Sequence, residues 1–129
     1  MAEFIANTYD MRTIPSAGKD FHVSLQTEAA TRCMELLAAE AGHSHYITKL
    51  KIRADAAMDV SVGSGDAGKG FVEVIHFGPV SLAANNGKFD WNGPRGMGVK
   101  CVSGLSLTMD TVDSGGSMWI EAHGKTCKD

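Results

Sequence analysis

The chain has 129 residues, 43% hydrophobic and 21% charged, which is enough for one domain around a single core and unlike the composition of disordered or membrane proteins. Its formal net charge of -3 supplies no field that would draw it onto phosphate backbones or anionic lipid, so neither nucleic acid nor membrane is expected as a partner. Residues 1–10 carry acidic and polar side chains where a signal peptide needs a basic start and a continuous apolar stretch.

Residues 1–19 show no sustained period and contain Pro15 and Gly18, so an extended N-terminal arm is expected there, with Phe4, Ile5, Tyr9, Met11 and Ile14 as its apolar, partner-binding side chains. A sandwich domain over 20–124 and a polar C-terminal tail over 125–129 complete the expected organisation. Residues 21–26 alternate apolar and polar side chains, the period of a half-buried strand. Residues 27–42 are in conflict. Ala30, Cys33, Met34, Leu37 and Ala41 share a helical face, whereas residues 32–37 also read as a buried strand leading to a turn at Gly42.

From His45 to Ala54 alternation returns, and Met58, Val60 and Val62 continue it in a second strand. Gly63-Ser64-Gly65-Asp66-Ala67-Gly68 is expected to be a long flexible turn. Residues 71–77 are rich in β-branched and aromatic side chains, and Gly78-Pro79 is expected to end that strand. A short strand over 80–83, a hairpin signal at Asn85-Asn86-Gly87, a strand over 88–91 and a turn at Gly93-Pro94-Arg95-Gly96 follow. Residues 97–102, 105–109 and 118–122 each alternate. About nine short strands at roughly eight- to twelve-residue spacing define an all-β, single-domain antiparallel β-sandwich, jelly-roll-like.

No catalytic, cofactor-binding or metal-ligating residue is assigned. His43-Ser44-His45 resembles the opening of a cupin metal site, but the carboxylate window after it holds Ile47, Thr48, Lys49 and Leu50, and Val99 stands where the later histidine belongs. The two imidazoles are therefore expected on a surface turn. Glu73 and His76 sit at odd spacing on one strand, and His22 and His123 show no evident partner. Neither a Gly-x-Ser-x-Gly elbow nor a positioned Cys-His pair can be read, and Gly68-Lys69-Gly70 lacks the ending of a phosphate loop. Cys33 and Cys101 lie in apolar runs and are expected to be buried thiols, whereas Cys127, near the polar end, is expected to be exposed. Trp91 and Trp119, with Phe77 and Phe89, offer either a sugar-stacking platform or simply core, and core is the expectation.

One layout remains: Leu36-Leu37-Ala38-Ala39, then residues 46–54, 60–65 and 72–78, then Leu82-Ala83-Ala84-Asn85-Asn86-Gly87 and Ser103-Gly104-Leu105-Ser106-Leu107. In order and turn chemistry it resembles small bacteriophage virion proteins of jelly-roll type, the capsid decoration, cement and head-fibre modules. The resemblance favours a strand within residues 27–42. It also implies a non-enzymatic virion structural protein at the capsid surface, assembled in the host cytoplasm, with the major capsid protein or another virion protein as partner and a homotrimer as its assembly. A tail, collar or head-fibre component and a carbohydrate- or receptor-binding sandwich are the alternatives.

Overall fold

The computed structural model describes residues 6–7, 10–27, 34–66, 71–83, 87–112 and 116–129. Among these, the strands are β1 (Ala6–Asn7), β2 (Met11–Thr13), β3 (Lys19–Thr27), β4 (Met34–Leu37), β5 (His43–Ala54), β6 (Met58–Asp66), β7 (Phe71–Leu82), β8 (Gly87–Asn92), β9 (Met97–Lys100), β10 (Ser106–Val112) and β11 (Met118–Lys128). They form two sheets, a first of order β1-β7-β6-β10-β4 and a second of order β2-β9-β5-β11-β3, with β8 pairing β5 beyond β9. The expected all-β sandwich is what the chain adopts. Its ladders are antiparallel except the short parallel pair β1/β7.

Two-residue periodicity explains the layers. On β5 and β11 the side chains of Leu50, Ile52, Met118, Ile120 and Ala122 turn inward, where they meet Val60, Val62, Leu107 and Met109 of the first sheet in one buried cluster. Burying each large aliphatic side chain contributes roughly 1.5–3 kcal/mol, and their sum opposes the conformational entropy lost on ordering the strands. The contested residues resolve in part. Met34–Leu37 is a strand paired antiparallel with β10, and Met34, Leu36 and Leu37 pack on the core; residues 28–33 lie outside the described residues.

Several expectations are corrected. Gly63, Ser64 and Gly65 are not a turn: β6 runs on to Asp66, with Gly63 opposite Ile75 and Ser64 opposite Val74. A Cβ on Gly63 would collide with the Val74 carbonyl, so glycine here serves close backbone approach within a ladder whose register shifts. Gly78-Pro79 does not end its strand either, since β7 continues to Leu82. Gly78 takes a φ of +112° and the register against β6 shifts there, so the two residues sit at an irregularity that a bulge tolerates. The hairpin signal at Asn85-Asn86 falls outside the described residues.

Residues 125–128 are not a free tail. They are the last rungs of β11, paired with β5 up to Lys128 opposite His43. Cys127 is accordingly buried, against the expectation of exposure, because the backbone of Gly18 covers its sulfur. Polar composition concealed a strand buried on one face.

The described part of the expected arm pairs within the domain. β1 adds to β7 in the first sheet, and a few residues later β2 adds to β9 in the second, flanked by Lys100 N–H donating to Asp10 O (2.8 Å) and Ile14 N–H donating to Gly96 O (3.0 Å). The N-terminal segment therefore crosses from one sheet to the other and closes that flank. On the opposite flank the edge strands are β3 and β4, which touch each other.

Candidate functional site

Among the described residues, every buried side-chain nitrogen or oxygen has a hydrogen-bond partner. His45 is only 2% exposed. Its Nε2–H donates to the Ala38 carbonyl (3.0 Å), which leaves Nδ1 to accept the Thr126 hydroxyl (2.8 Å). Burial lowers the His45 pKa, against the opposing pull of the Ala38 carbonyl. The neutral ring is thus a fixed strut between β5, β11 and the chain leaving β4. His43 is half-buried at the start of β5, where Nδ1–H donates to Ala41 O (2.9 Å). The expectation of two surface-turn histidines fails for His45: the strand begins earlier than its alternation announces, and it carries the ring inside.

A second interior cluster joins two strands of the first sheet to the loop after β9. Ser64 Oγ lies 2.7 Å from His76 Nε2 and accepts the Val102 N–H (2.9 Å). Burial pushes the neighbouring Cys101 thiol up to about 12. A serine hydroxyl against an imidazole resembles a nucleophile and its base. Ser64, however, has no exposed surface, and the small cleft of about 190 Å³ beside it is lined by His76, Cys101 and Lys100 but not by Ser64. The arrangement pins the loop after β9 to the first sheet and does not present the hydroxyl.

The outer face of the second sheet is different. Strand alternation turns His22 of β3 and Glu121 and His123 of β11 outward, and the register sets His123 directly opposite His22. Their rings stack with centroids 3.9 Å apart and planes 18° from parallel. His22 Nε2–H donates to Glu121 Oε2 (2.6 Å), and His123 Nε2 lies 3.6 Å from Glu121 Oε1. The His22 hydrogen bond holds the Glu121 carboxyl below its usual range. Ligand atoms of all three residues lie within 4.8 Å of one another. A cleft of about 410 Å³, lined also by Asp20, Phe21 and Thr48, opens beside the rings. Sequence reasoning left His22 and His123 without partners because their meeting depends on strand register across 99 residues for the His22–Glu121 pair. Alternation within 21–26 and 118–123 signals an outward face for each, but nothing local states that the two faces adjoin.

Further along the same face an open groove of about 720 Å³ is lined by Gln26, Arg53, Asp55, Lys88 and Trp119. Arg53 grips Asp90 through two hydrogen bonds (2.8 and 3.2 Å), which lowers the Asp90 pKa. Trp91 and Phe77 meet edge to face at 5.0 Å, and Trp91 and Phe89 pack on the core, so of the four aromatic candidates only Trp119 faces a groove. Among the expected partner-binding residues, Met11 packs on the core and Ile14 lines a cleft beside Pro15 and Gly96. Phe4, Ile5 and Tyr9 lie outside the residues whose side chains are described.

No family model matches the sequence, and no curated protein matches it. Among solved structures, the chain is similar to one in the acidic stable capsid structure of Helicobacter pylori bacteriophage KHP30, with a TM-score of 0.55 and 11% identity over 89% of this chain and 92% of that one. Weaker likenesses are to the Drosophila NLP core, described in terms of pentamer formation and histone binding (TM-score 0.46, 15% identity, 83% of this chain and 98% of that one), and to the cyanophage Pam1 capsid asymmetric unit (0.39, 9%, 87% and 88%). These two are too weak to carry an argument. The first shows a shared fold, a two-sheet β-sandwich, and at its identity shows the fold alone.

Proposed function

We propose that the chain is a non-enzymatic virion structural protein, a capsid decoration or cement protein of jelly-roll type that binds the major capsid protein at the capsid surface after assembly in the host cytoplasm. The observation that carries this reading is the N-terminal segment, whose described part closes one flank of the sandwich by pairing with β7 and then β9, and this flank is the surface proposed for contact with the capsid. Support also comes from the fold shared with a chain of the KHP30 capsid structure. The opposite flank, with edge strands β3 and β4, is where copies of the chain would meet. A homotrimer covers such edges, which otherwise invite uncontrolled strand pairing.

Mass spectrometry of purified virions whose genome encodes the chain tests the proposal. The chain is expected in amounts proportional to the major capsid protein. Its absence from virions would refute a structural role, and amounts of only a few copies would move it to the tail, collar or head fibre.

A second reading, a carbohydrate- or receptor-binding module, is favoured by the Trp119 groove, whose aromatic face and flanking Arg53, Gln26 and Lys88 suit a sugar ring and its hydroxyls. Saturable glycan binding lost on Trp119→Ala would support it.

A further inference from the structure

We infer that His22, Glu121 and His123 bind a divalent transition-metal ion of the zinc class on the outer face of the second sheet. Two imidazoles and a carboxylate are the donor set that suits zinc, copper or nickel and does not suit calcium or magnesium, which take oxygen ligands. Bonds of about 2.1 Å to a tetrahedral ion place neighbouring donors about 3.4 Å apart. The Glu121–His123 separation of 3.6 Å is close to that distance, and the Glu121–His22 contact of 2.6 Å must open by less than an ångström. His22 can make that adjustment, since its side chain is 56% exposed and sits on an edge strand.

The backbone is prepared for the site. Between His123 and Gly124 the β11/β5 register shifts, leaving Thr48 as the extra residue on β5, and the Thr48 hydroxyl donates to the His123 carbonyl (3.2 Å). Bulges of this kind re-aim a neighbouring side chain. Gly124 permits it, because any Cβ there would run into the Tyr46 carbonyl.

To take up an ion, His22 gives up the Nε2–H that it donates to Glu121 and the two rings turn out of their stack, so that both nitrogens and the carboxylate, whose ligand atoms already lie within 4.8 Å of one another, meet at one ion; the cleft beside them leaves a fourth position for water. The surrounding charges are mixed. Lys49 and Lys51 of β5 stand opposite His123 and Glu121, while Lys125 and Asp20 flank the pair on β11 and β3. The lysines weaken the site relative to a closed one but do not occupy it.

Calorimetric titration of the full chain, treated with chelator and dialysed, with zinc chloride and separately with magnesium chloride tests the assignment. One zinc per chain and no magnesium are expected, with affinity falling as pH is lowered because protons compete for the imidazoles. His22→Ala and His123→Ala should each weaken zinc binding by more than about tenfold, since even partners behind the ligands act on that scale, whereas His43→Ala should leave it unchanged. Urea midpoints of the variants measured without metal separate loss of binding from loss of fold. Absence of saturable zinc uptake, uptake that survives the His22→Ala/His123→Ala double substitution, or uptake abolished by His43→Ala would each overturn the assignment.

Discussion

The two faces of the second sheet use histidine in opposite ways. On the inner face His45 has its tautomer fixed by Ala38 and Thr126 and is sealed from water, so its chemistry is that of a structural strut. On the outer face His22 and His123 stack in the open around one carboxylate and keep donor atoms available. What decides between the roles is not the number of polar contacts but whether a ligand can reach the ring. The same contrast holds elsewhere among the described residues: Ser64 ties His76 of the neighbouring strand to the Val102 backbone from within, while the groove beside Trp119 opens outward.

Substitutions should separate the two faces most sharply where packing is densest. Leu50→Ala and Ile120→Ala, both fully buried, should lower stability by about 2–5 kcal/mol in urea unfolding, through lost transfer energy and the cavity left behind. His45→Ala should cost about 1–3 kcal/mol by leaving the Ala38 carbonyl or the Thr126 hydroxyl without its partner.

The pH dependence of His45 has a definite sign. Because burial depresses its folded-state pKa, the unfolded chain takes up its proton first, at about pH 6.5, and stability falls as the pH drops from there toward the folded value. Unfolding midpoints between pH 7 and pH 5 should show this decline, and His45→Ala should lessen it.

Cys101, with its thiol pushed up to about 12 by burial, should resist alkylation at mild alkaline pH in the folded protein and react once urea unfolds it; prompt native-state modification at this residue, read by peptide mass spectrometry, would contradict the packing around Ser64. The smallest effect belongs to the outer face. Arg53→Ala removes an exposed ion pair with Asp90 and should scarcely move the urea midpoint.

Much of the fold was legible because its strongest strands alternate in sequence: β3, β5, β8 and the first half of β11 announce themselves by period alone. The turn glycines Gly42 and Gly96 also behave as read, each with a positive φ (71° and 78°). What stayed hidden was glycine in a different role. Gly63 and Gly78 look like turn residues, yet they lie inside ladders, where they admit a close backbone or a register shift, and nothing in a local window distinguishes the two uses. The end of β11 was missed because Lys125, Thr126 and Cys127 read as a polar tail, although their partners are strands far back in the chain.

The candidate site was hidden for a related reason. The eye goes to His43 and His45 because they are near neighbours in sequence, but the second is buried and the two rings bind different carbonyls. His22 and His123 attract no notice until β3 and β11 are aligned rung by rung. Local pattern reports which way a side chain points, and only register reports what it meets.

Attachment to capsids is the most direct measurement. The full chain and a version lacking residues 2–9, which leaves β2 in place on β9, should be mixed with capsids that lack the protein and sedimented. Saturable co-sedimentation of the full chain, lost or much weakened in the shortened one while its urea midpoint stays close to that of the full chain, is the result expected of a rigid sandwich that binds through its N-terminal segment. Failure of the full chain to sediment with capsids, or equal attachment of both versions, would contradict it.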